Sequence, residues 1–368
     1  MAYVAVKGGT EAIDNACRLL SYERAKGRSL PLKVEQIKEQ LYLLVDRVMS
    51  EGSLYAPDLA ALAVKQSAGD TLEASFMIRA YRTTLPRIAY SLPRSTADMR
   101  IIRRISAAFK DIPGGQVLGP TSDYTLRLLD FELFEETTDS NKAFKRLMES
   151  ELPQGTKLPE TFPKIVEILR QEGLLTPPRI PDNENGCGSH IFDITRNALS
   201  YPADRSAVLQ SMARGETGGL LAFAYSSMRG YGNVHPTIGE LRVGYVPLWT
   251  AHPYTKKPYL AGEVKVTEAE IVARFTNSDG KPMFSLGYGL CFGQNEIKAI
   301  SMAILDRTMR AAEPETPAED QEFVLSHIDG IEAMGFCNHW KLPHYVDFQS
   351  DLDRLRKAQT AHDAQKVD

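Results

Sequence analysis

The sequence predicts an α+β fold in which a mainly helical N-terminal part precedes a mixed α/β body, with helices packed on an antiparallel or mixed sheet. Apolar residues recur at helical spacing through 33–51, whereas strand-forming runs fill 240–249 and 259–275. Turn residues separate these stretches. A chain of 368 residues is long enough for two domains or for one large domain with insertions.

Helix signals dominate the chain up to about residue 130. Thr10 is a candidate N-cap after the strand-like opening MAYVAVKGG, and Gly27 and Pro86 are stop signals for two of the helices. The expected helices cover 11–26, 33–51, 58–67 and 70–85.

Strand and turn signals begin near residue 100. The basic, β-prone stretch RIIRRIS is followed by PGG and LGP turns, and the strand FSLGYGLCF leads into an amphipathic helix. Further helices are expected over 162–173, 203–230, 297–312 and the C-terminal stretch DLDRLRKAQTAHDAQKVD. The segment 321–334 is expected to be a helix or a strand. We divide the chain into a mainly helical region 1–135, a Pro-rich connecting region 136–200 and an α/β region 201–368.

Composition excludes several classes of protein. A net charge of −4 gives no global basic field for nucleic acid or an anionic membrane. The four cysteines, Cys17, Cys187, Cys291 and Cys337, show no paired spacing, which favours a reducing compartment over a disulfide framework. Without a signal-peptide pattern or a membrane-length apolar run, we expect a cytoplasmic protein. The motifs G-x-S-x-G, H-E-x-x-H and C-x-x-C are absent.

The segment KDIPGGQVLGPT has two interpretations. Backbone amides of Gly114 and Gly115 suit an anion, with Lys110, Arg103 and Arg104 supplying positive charge. A tight turn between two strands explains the glycines equally well, and no Gly-Lys-Ser/Thr closes the segment as in a Walker A loop.

Two further glycine-rich segments are also ambiguous. GYGLCFGQNEIKA ends a strand and opens a helix, so it suits either plain packing or an anion at a helix N-terminus. Its glycine spacing misses the dinucleotide fingerprint, so no nicotinamide cofactor is expected. The segment MRGYGNVHP combines Arg229, Tyr231 and His235 in a ligand-binding loop or a surface turn.

Arginines stand inside apolar helical stretches at three positions. Arg47 lies in LLVDRVM, and Arg79 and Arg82 lie in SFMIRAYRTTL. Such an arginine forms either a structural ion pair or a bidentate contact with phosphate. The sequence leaves both roles open.

The segment NHWKLPHY holds His339 and His344 five residues apart. On a helix their side chains would point about 140° apart, and on a strand they would lie on opposite faces. Only a bend brings both rings to one ion, and Pro343 favours a bend. Two histidines are too few for a closed zinc site, so Cys337 or another chain would supply a further ligand. The alternative is one half-buried ring and one surface ring.

Eight blocks of this sequence resemble one family. They are AVKGGTEAID, ALAVKQSAGD, RAYRTTLPR, RRISAAFKDIPGGQVLGPTSDYT, AYSSMRGYG, GYGLCFGQNEIKA, EFVLSH and NHWKLPHYVDFQ. Their order is that of subunit I of the bacterial carbon–phosphorus lyase complex. The resemblance covers nearly the whole chain and is weakest over 135–200 and 250–283.

This resemblance implies an activity in organophosphonate catabolism. A phosphonate oxygen attacks ribose C1′ of ATP, adenine leaves, and ribose 1-phosphonate 5-triphosphate forms. The subunit alone would act as a nucleosidase, with water replacing the phosphonate. The implied partners are subunits G, H and J of the core, of which J is a radical-SAM protein, and the ABC-like subunits K and L. The resemblance also implies that His339 and His344 bind zinc together with a cysteine of subunit J.

The residues that would perform this chemistry stay open at the level of sequence. Carboxylates stabilise an oxocarbenium-like transition state, and Asp70, Asp111, Glu240 and Glu322 are the candidates. The triphosphate of ATP needs Mg²⁺ and basic contacts, for which the candidates are Arg47, Arg82, Lys110 and Arg229, with the amides of Gly114 and Gly115.

Two other functions compete with this one. The first is a non-catalytic scaffold that supplies two zinc ligands and docks the radical-SAM subunit, because no complete catalytic motif is present. The second is a free-standing nucleotide hydrolase.

Overall fold

The computed structural model describes residues 9–151, 162–176, 192–229, 235–276 and 282–365. The expected opening strand, Cys187 and Tyr231 lie outside these ranges. In the described part of the chain, helices pack on a four-stranded antiparallel sheet, so the predicted α+β class is confirmed. No helix in this part has the length and apolarity that crossing a membrane requires.

Four of the first five helices form a small bundle. The five are α1 (Thr10–Ala25), α2 (Val34–Gln40), α3 (Tyr42–Gly52), α4 (Pro57–Gln66) and α5 (Thr71–Thr83). Apolar residues of α2 to α5, such as Ile37, Val48 and Ile78, pack into one buried cluster, whereas α1 buries none of its residues. The helix expected over 33–51 is in fact two, because the backbone leaves helical geometry at Leu41, where φ is −110° and ψ is 35°.

The sheet consists of neighbouring strands in chain order, β1-β2-β3-β4, all antiparallel. The strands are β1 (Arg100–Ile105), β2 (Thr237–Ala251), β3 (Pro258–Thr276) and β4 (Pro282–Phe292). The sheet therefore joins a strand of the region 1–135 to three strands of the region 201–368. The division into three regions stays a prediction about the organisation of the chain.

One face of the sheet is apolar and carries the main core. Leu241, Ala269 and Ile271 lie in the same buried cluster as residues of α8 (Arg205–Arg214), α9 (Thr217–Arg229) and α10 (Glu296–Thr308). The prediction of one helix over 203–230 was wrong, since Gly215 separates α8 from α9 with an extended ψ of 158°. Side chains alternate across a strand, so the neighbouring charged residues of β2 and β3 face the other way.

The remaining helices surround this centre. They are α6 (Thr138–Glu151), α7 (Ile165–Gln171), α11 (Gln321–His327), α12 (Gly330–His339) and α13 (Tyr345–Gln365). A separate small cluster contains residues of α7, Leu175 just after that helix, and Val272 of β3. Neither α6 nor α13 has a buried residue.

We expect Gly287→Ala to destabilise the protein by at least about 2 kcal/mol, because an overpacked interface costs energy of this order. A methyl group at Gly287 of β4 would lie 2.0 Å from the carbonyl oxygen of Ala303 in α10. Denaturant unfolding followed by circular dichroism measures the change. Gly335→Ala in α12 is the matched control, because nothing lies within 4 Å of its added methyl group. Equal unfolding midpoints for the two variants would contradict this account of the β4–α10 contact.

Candidate functional site

His339 and His344 lie side by side where α12 ends. The helix stops at His339, the chain turns through Pro343, and α13 begins at Tyr345. The two Nε2 atoms are 3.1 Å apart. Two nitrogens bound to one tetrahedral zinc at 2.0–2.1 Å lie about 3.3 Å apart. The geometry of the two rings therefore fits a shared metal ion.

The hydrogen bond that His344 makes through Nδ1 also suits a metal ligand. Its Nδ1 lies 2.5 Å from the carbonyl oxygen of Leu342, which accepts a hydrogen bond when Nδ1 carries the proton. That tautomer leaves a lone pair on Nε2, facing His339. This lone pair accepts a hydrogen bond when His339 Nε2 carries its proton, and both nitrogens can bind one cation when neither is protonated.

The histidine pair is incomplete as a metal site. In the described residues no group of three histidine, cysteine or acidic side chains comes together, so Cys337 does not complete the pair. His339 is exposed, and so are Phe336, Trp340, Tyr345 and Phe348 around it. A group from another molecule can thus reach the pair across an apolar rim.

The second face of the sheet is charged and buried. Arg104 of β1 and Glu240 of β2 are both fully buried, with Nε 2.5 Å from Oε1. Arg242 lies 2.9 Å from the same carboxylate oxygen, and the other oxygen accepts from the amide of Ile165 at 3.2 Å. Glu240 therefore has both oxygens engaged inside the protein.

Two further carboxylates of this face belong to β3. Lys164 approaches Glu268 at 2.8 Å and Glu270 at 3.2 Å, and Tyr288 donates to Glu268 at 2.9 Å. Burial raises the pKa of Glu270 to about 7, although Lys164 opposes the shift. Burial and the neighbouring Glu268 also raise the pKa of Tyr288.

A third group of charges lies between α3, α5, α8 and α10. Arg47 pairs with Glu51 at 2.9 Å and with Glu216, and both oxygens of Asp329 accept from Arg79, at 2.9 and 2.7 Å. The helix α10 begins beside a protein carboxylate, since the Gln294 amide donates to Asp46 at 2.9 Å.

Comparison with known proteins decides the family. Residues 2–362 match the model of the family described as "Bacterial phosphonate metabolism protein (PhnI)". The chain belongs to this family.

Similarity to individual members extends over almost the full length. HtxH of Stutzerimonas stutzeri, a provisionally named C-P lyase subunit, is 54% identical over 99% of this chain and 98% of its own. Two proteins named alpha-D-ribose 1-methylphosphonate 5-triphosphate synthase subunit PhnI are each 47% identical. The protein from Rhizobium meliloti (strain 1021) aligns with 98% of this chain and 96% of its own. The protein from Escherichia coli (strain K12) aligns with 97% and 98%.

Several of the predicted site residues of this PhnI-family chain hold its structure together. Asp70 is the N-cap of α5 and accepts from the amides of Leu72 and Glu73. Arg47 and Glu240 are ion-paired as described above, and Glu240 is out of reach of any external substrate. The interpretation of Arg47 and Arg79 as structural ion pairs fits this geometry.

In the glycine turn at 113–115, carbonyl oxygens rather than backbone amides contact a charged side chain. Arg104 Nη1 donates to the carbonyl oxygens of Pro113 and Gly115 at 2.6 and 3.1 Å. The amide of Gly115 is used within the turn, donating to Ile112 at 2.9 Å. Gly114 and Gly115 have φ angles of 83° and 78°, where glycine is favoured. This geometry speaks against a phosphate held by the Gly115 amide and favours the tight turn.

The other predicted residues lie on the surface and are not brought together into one site. Lys110, Asp111, Arg229 and Glu322 are exposed. Arg229 donates to Tyr225 at 2.8 Å. Arg82 is half-buried beside a pocket, and its catalytic or binding role, like that of the exposed residues, stays a prediction.

Lys298 is a chemically important residue that reasoning from sequence missed. It is fully buried in α10 and donates to Ser50 Oγ at 2.8 Å and to the Ala213 carbonyl at 2.7 Å. Burial lowers its pKa to about 8. The amphipathic pattern of 297–312 predicts that a lysine at its start is exposed to solvent. Only the apolar neighbours of Lys298 in EIKAIS indicated that it could be buried.

The Glu270 carboxyl makes stability depend on pH. Its pKa rises from 4.5 in the unfolded chain to about 7 in the folded one, so the folded state keeps a proton that the unfolded state loses. Stability from this group is complete below about pH 4.5 and declines as pH rises to about 7. We expect Glu270→Gln, which cannot lose a proton, to gain stability relative to wild type by roughly 3 kcal/mol over this range.

Denaturant unfolding at a series of pH values checks this expectation. Glu263→Gln is the control, because Glu263 is exposed and pairs only with the exposed Arg100 in the described structure. If the stability of Glu270→Gln follows the same pH curve as wild type, the buried proton does not exist.

Proposed function

We propose that this protein is a subunit of the carbon–phosphorus lyase complex that displaces adenine from ATP with an alkylphosphonate. The observation that carries the proposal is 47–54% identity to named subunits over nearly the full length. The names of two relatives specify ribose 1-methylphosphonate 5-triphosphate as the product of the enzyme to which they belong. Membership of the complex, the reaction and a cytoplasmic location are carried over to this chain as parts of the proposal.

The proposed reaction exchanges one bond at ribose C1′ for another. A phosphonate oxygen forms the new C–O bond while the C1′–N9 bond to adenine breaks, and the base leaves with its bonding electrons and takes up a proton. Water replaces the phosphonate when the subunit acts alone, and adenine and ribose 5-triphosphate result. Mg²⁺ accompanies ATP as part of the substrate.

The carboxylate that faces the developing positive charge must be accessible. Of the four candidates, Glu240 is sealed in the sheet and Asp70 caps a helix. Asp111 and Glu322 are exposed, and in the described structure no ion pair engages either carboxylate. Asp111 and Glu322 are therefore the proposed candidates for the catalytic carboxylate.

We further propose that His339 and His344 hold Zn²⁺ together with a ligand from the radical-SAM subunit J. The support is the 3.1 Å separation of the two Nε2 atoms and the exposed apolar rim. Bound zinc would supply a fixed positive charge and a link between subunits. Subunits G and H complete the proposed core, with the ABC-like subunits K and L as associated partners.

Purified full-length protein is expected to release adenine from Mg-ATP, detected by liquid chromatography. Adding the partner subunits with methylphosphonate should replace ribose 5-triphosphate by the 1-phosphonate product, visible by phosphorus NMR. A dialysed sample without Mg²⁺ is the control, because the triphosphate charge then lacks its cation. Failure to release adenine both alone and in the assembled complex would contradict the proposed activity.

Replacing either histidine should remove zinc from the complex. We expect His339→Ala and His344→Ala each to lower zinc affinity at least tenfold, because one remaining imidazole cannot chelate. Metal content after dialysis against a competing chelator measures this, and His362→Ala, an exposed histidine of α13, is the matched control. Zinc retention equal to that of the control would exclude the pair as ligands.

The same variants test the alternative of a non-catalytic scaffold, which the incomplete metal pair favours. A scaffold predicts that the histidine variants lose zinc and subunit J while the purified chain releases no adenine in any form. The enzyme proposal predicts adenine release from the chain that continues without zinc. A free-standing nucleotide hydrolase would instead purify from its native host without partners.

A further inference from the structure

A pocket of about 330 Å³ lies apart from the histidine pair, between α3, α5, α8 and the sheet. Its polar wall includes Ser50, Ser53, Arg82 and Arg214, and its apolar wall includes Leu290 and Phe292. The volume is at the lower end of the roughly 300–1,000 Å³ found for ligand pockets. It therefore suits a small ligand better than a whole nucleoside triphosphate.

The described wall of the pocket includes two arginines and no carboxylate. In the described structure no carboxylate lies within ion-pair distance of Arg82, whose guanidinium donates only to the Ser53 carbonyl oxygen at 3.4 Å. Burial and the neighbouring Arg79 and Arg214 lower the pKa of Arg82. Those two arginines share a single carboxylate in direct contact, that of Asp329.

A second cation lies just beneath the polar wall. Lys298 is fully buried, and the atoms that contact its ammonium group, Ser50 Oγ and the Ala213 oxygen, belong to residues that line the pocket. Among the described residues no carboxylate pairs with Lys298. The carboxylates of Glu51 and Glu216 only partly oppose the lowering of the Lys298 pKa by burial. A buried ammonium is costly, and an anion in the pocket would offset more of that cost.

We propose that this pocket binds a small organic anion with a tetrahedral phosphonate or phosphate head. The head lies against Arg82, Arg214 and the Ser53 hydroxyl, where a planar guanidinium donates two parallel hydrogen bonds to the oxygens. The short organic group lies against Leu290 and Phe292. Binding of the oxyanion rests on this geometry alone, whereas the choice of an alkylphosphonate rests on the proposed function.

The pocket and the histidine pair lie near opposite ends of α12. Asp329 contacts Arg214 of the pocket and caps the start of α12, and His339 ends the same helix. A helix of 10 residues is about 15 Å long. The phosphonate pocket is therefore distinct from the zinc pair, at the other end of α12.

Calorimetric titration of the full-length chain with methylphosphonate, in the absence of ATP, tests the inference. We expect saturable binding that weakens at least tenfold in Arg82→Gln. Arg100→Gln removes an exposed positive charge elsewhere on the sheet and should bind as wild type does. Equal affinity in Arg82→Gln and Arg100→Gln, or no binding by the wild type, would overturn the proposal.

Ser53 provides a test that keeps every arginine in place. Its φ of 56° is a conformation that Asn and Asp tolerate well. Ser53→Asp places a carboxylate beside Arg82 and should abolish binding, whereas the nearly isosteric Ser53→Asn should retain it. Binding that is equal in these two variants would show that the anion lies elsewhere.

Titrations with inorganic phosphate and with Mg-ATP separate the two sources of the oxyanion. Methylphosphonate binding that Mg-ATP leaves unchanged supports a phosphonate subsite. Tighter, Arg82-dependent binding of Mg-ATP or of phosphate would overturn the phosphonate assignment. These are binding measurements, so a failure to release adenine would contradict the proposed function without affecting the result for the pocket.

Discussion

The buried ion pair between Arg104 and Glu240 organises the charged side of this protein. It joins β1 to β2 inside the sheet, and the remaining guanidinium nitrogens bind the carbonyl oxygens of Pro113, Gly115 and Pro163. One side chain thus fixes the glycine turn and the entrance to α7 against the sheet. Removing one partner of such a pair costs about 3–5 kcal/mol, because an uncompensated charge is left buried. The sheet consequently has an apolar face for its core and an ion-paired face beneath a cover of loop and helix.

Reasoning from the sequence succeeded where one periodicity dominated. The strands β2, β3 and β4 and the helices α4, α5 and α10 lie close to their expected positions, because long apolar patterns define them. It failed at Leu41 and Gly215, where the backbone leaves helical geometry within a stretch predicted as one helix. The bend at Pro343 followed from the spacing of two histidines, because neither regular element brings them together.

The burial of charged residues could not be deduced from the sequence. The alternation GELRVG and TEAEIV has the pattern of a half-solvated strand, yet Glu240, Arg242 and Glu268 are buried. A pattern of period two shows which residues share a face but not whether another element covers that face. The cover here comes from the turn at 113–115 and from residues 162–171, whose sequence does not show that they pack on this face. The buried Lys298 was likewise not assigned to the interior.

Two places in the structure hold polar groups that suit a ligand from another molecule. The Nε2 atoms of His339 and His344 share a proton or a cation, and neither Arg82 nor the buried Lys298 contacts a carboxylate in the described structure. By contrast, both oxygens of Asp329 accept hydrogen bonds from Arg79. This contrast supports the proposed anion beside Arg82 and Lys298, because buried polar groups are ordinarily satisfied within the protein.

The surface of the chain shows the same dependence on other molecules. Large apolar side chains are exposed along 118–148, where Leu126 and Phe134 are 86% and 85% exposed, and along α13 around the histidine pair. Extended apolar exposure on this scale is unusual for a protein that acts alone and typical of an assembly surface. A subunit with such a surface can leave the proposed metal site open, since a partner that covers the apolar rim would also bring the missing ligand. The proposed anion pocket lies about one helix length away and is lined by residues of this chain. The two proposed sites therefore have different requirements: assembly would complete the histidine pair, whereas the pocket would bind its anion before assembly occurs.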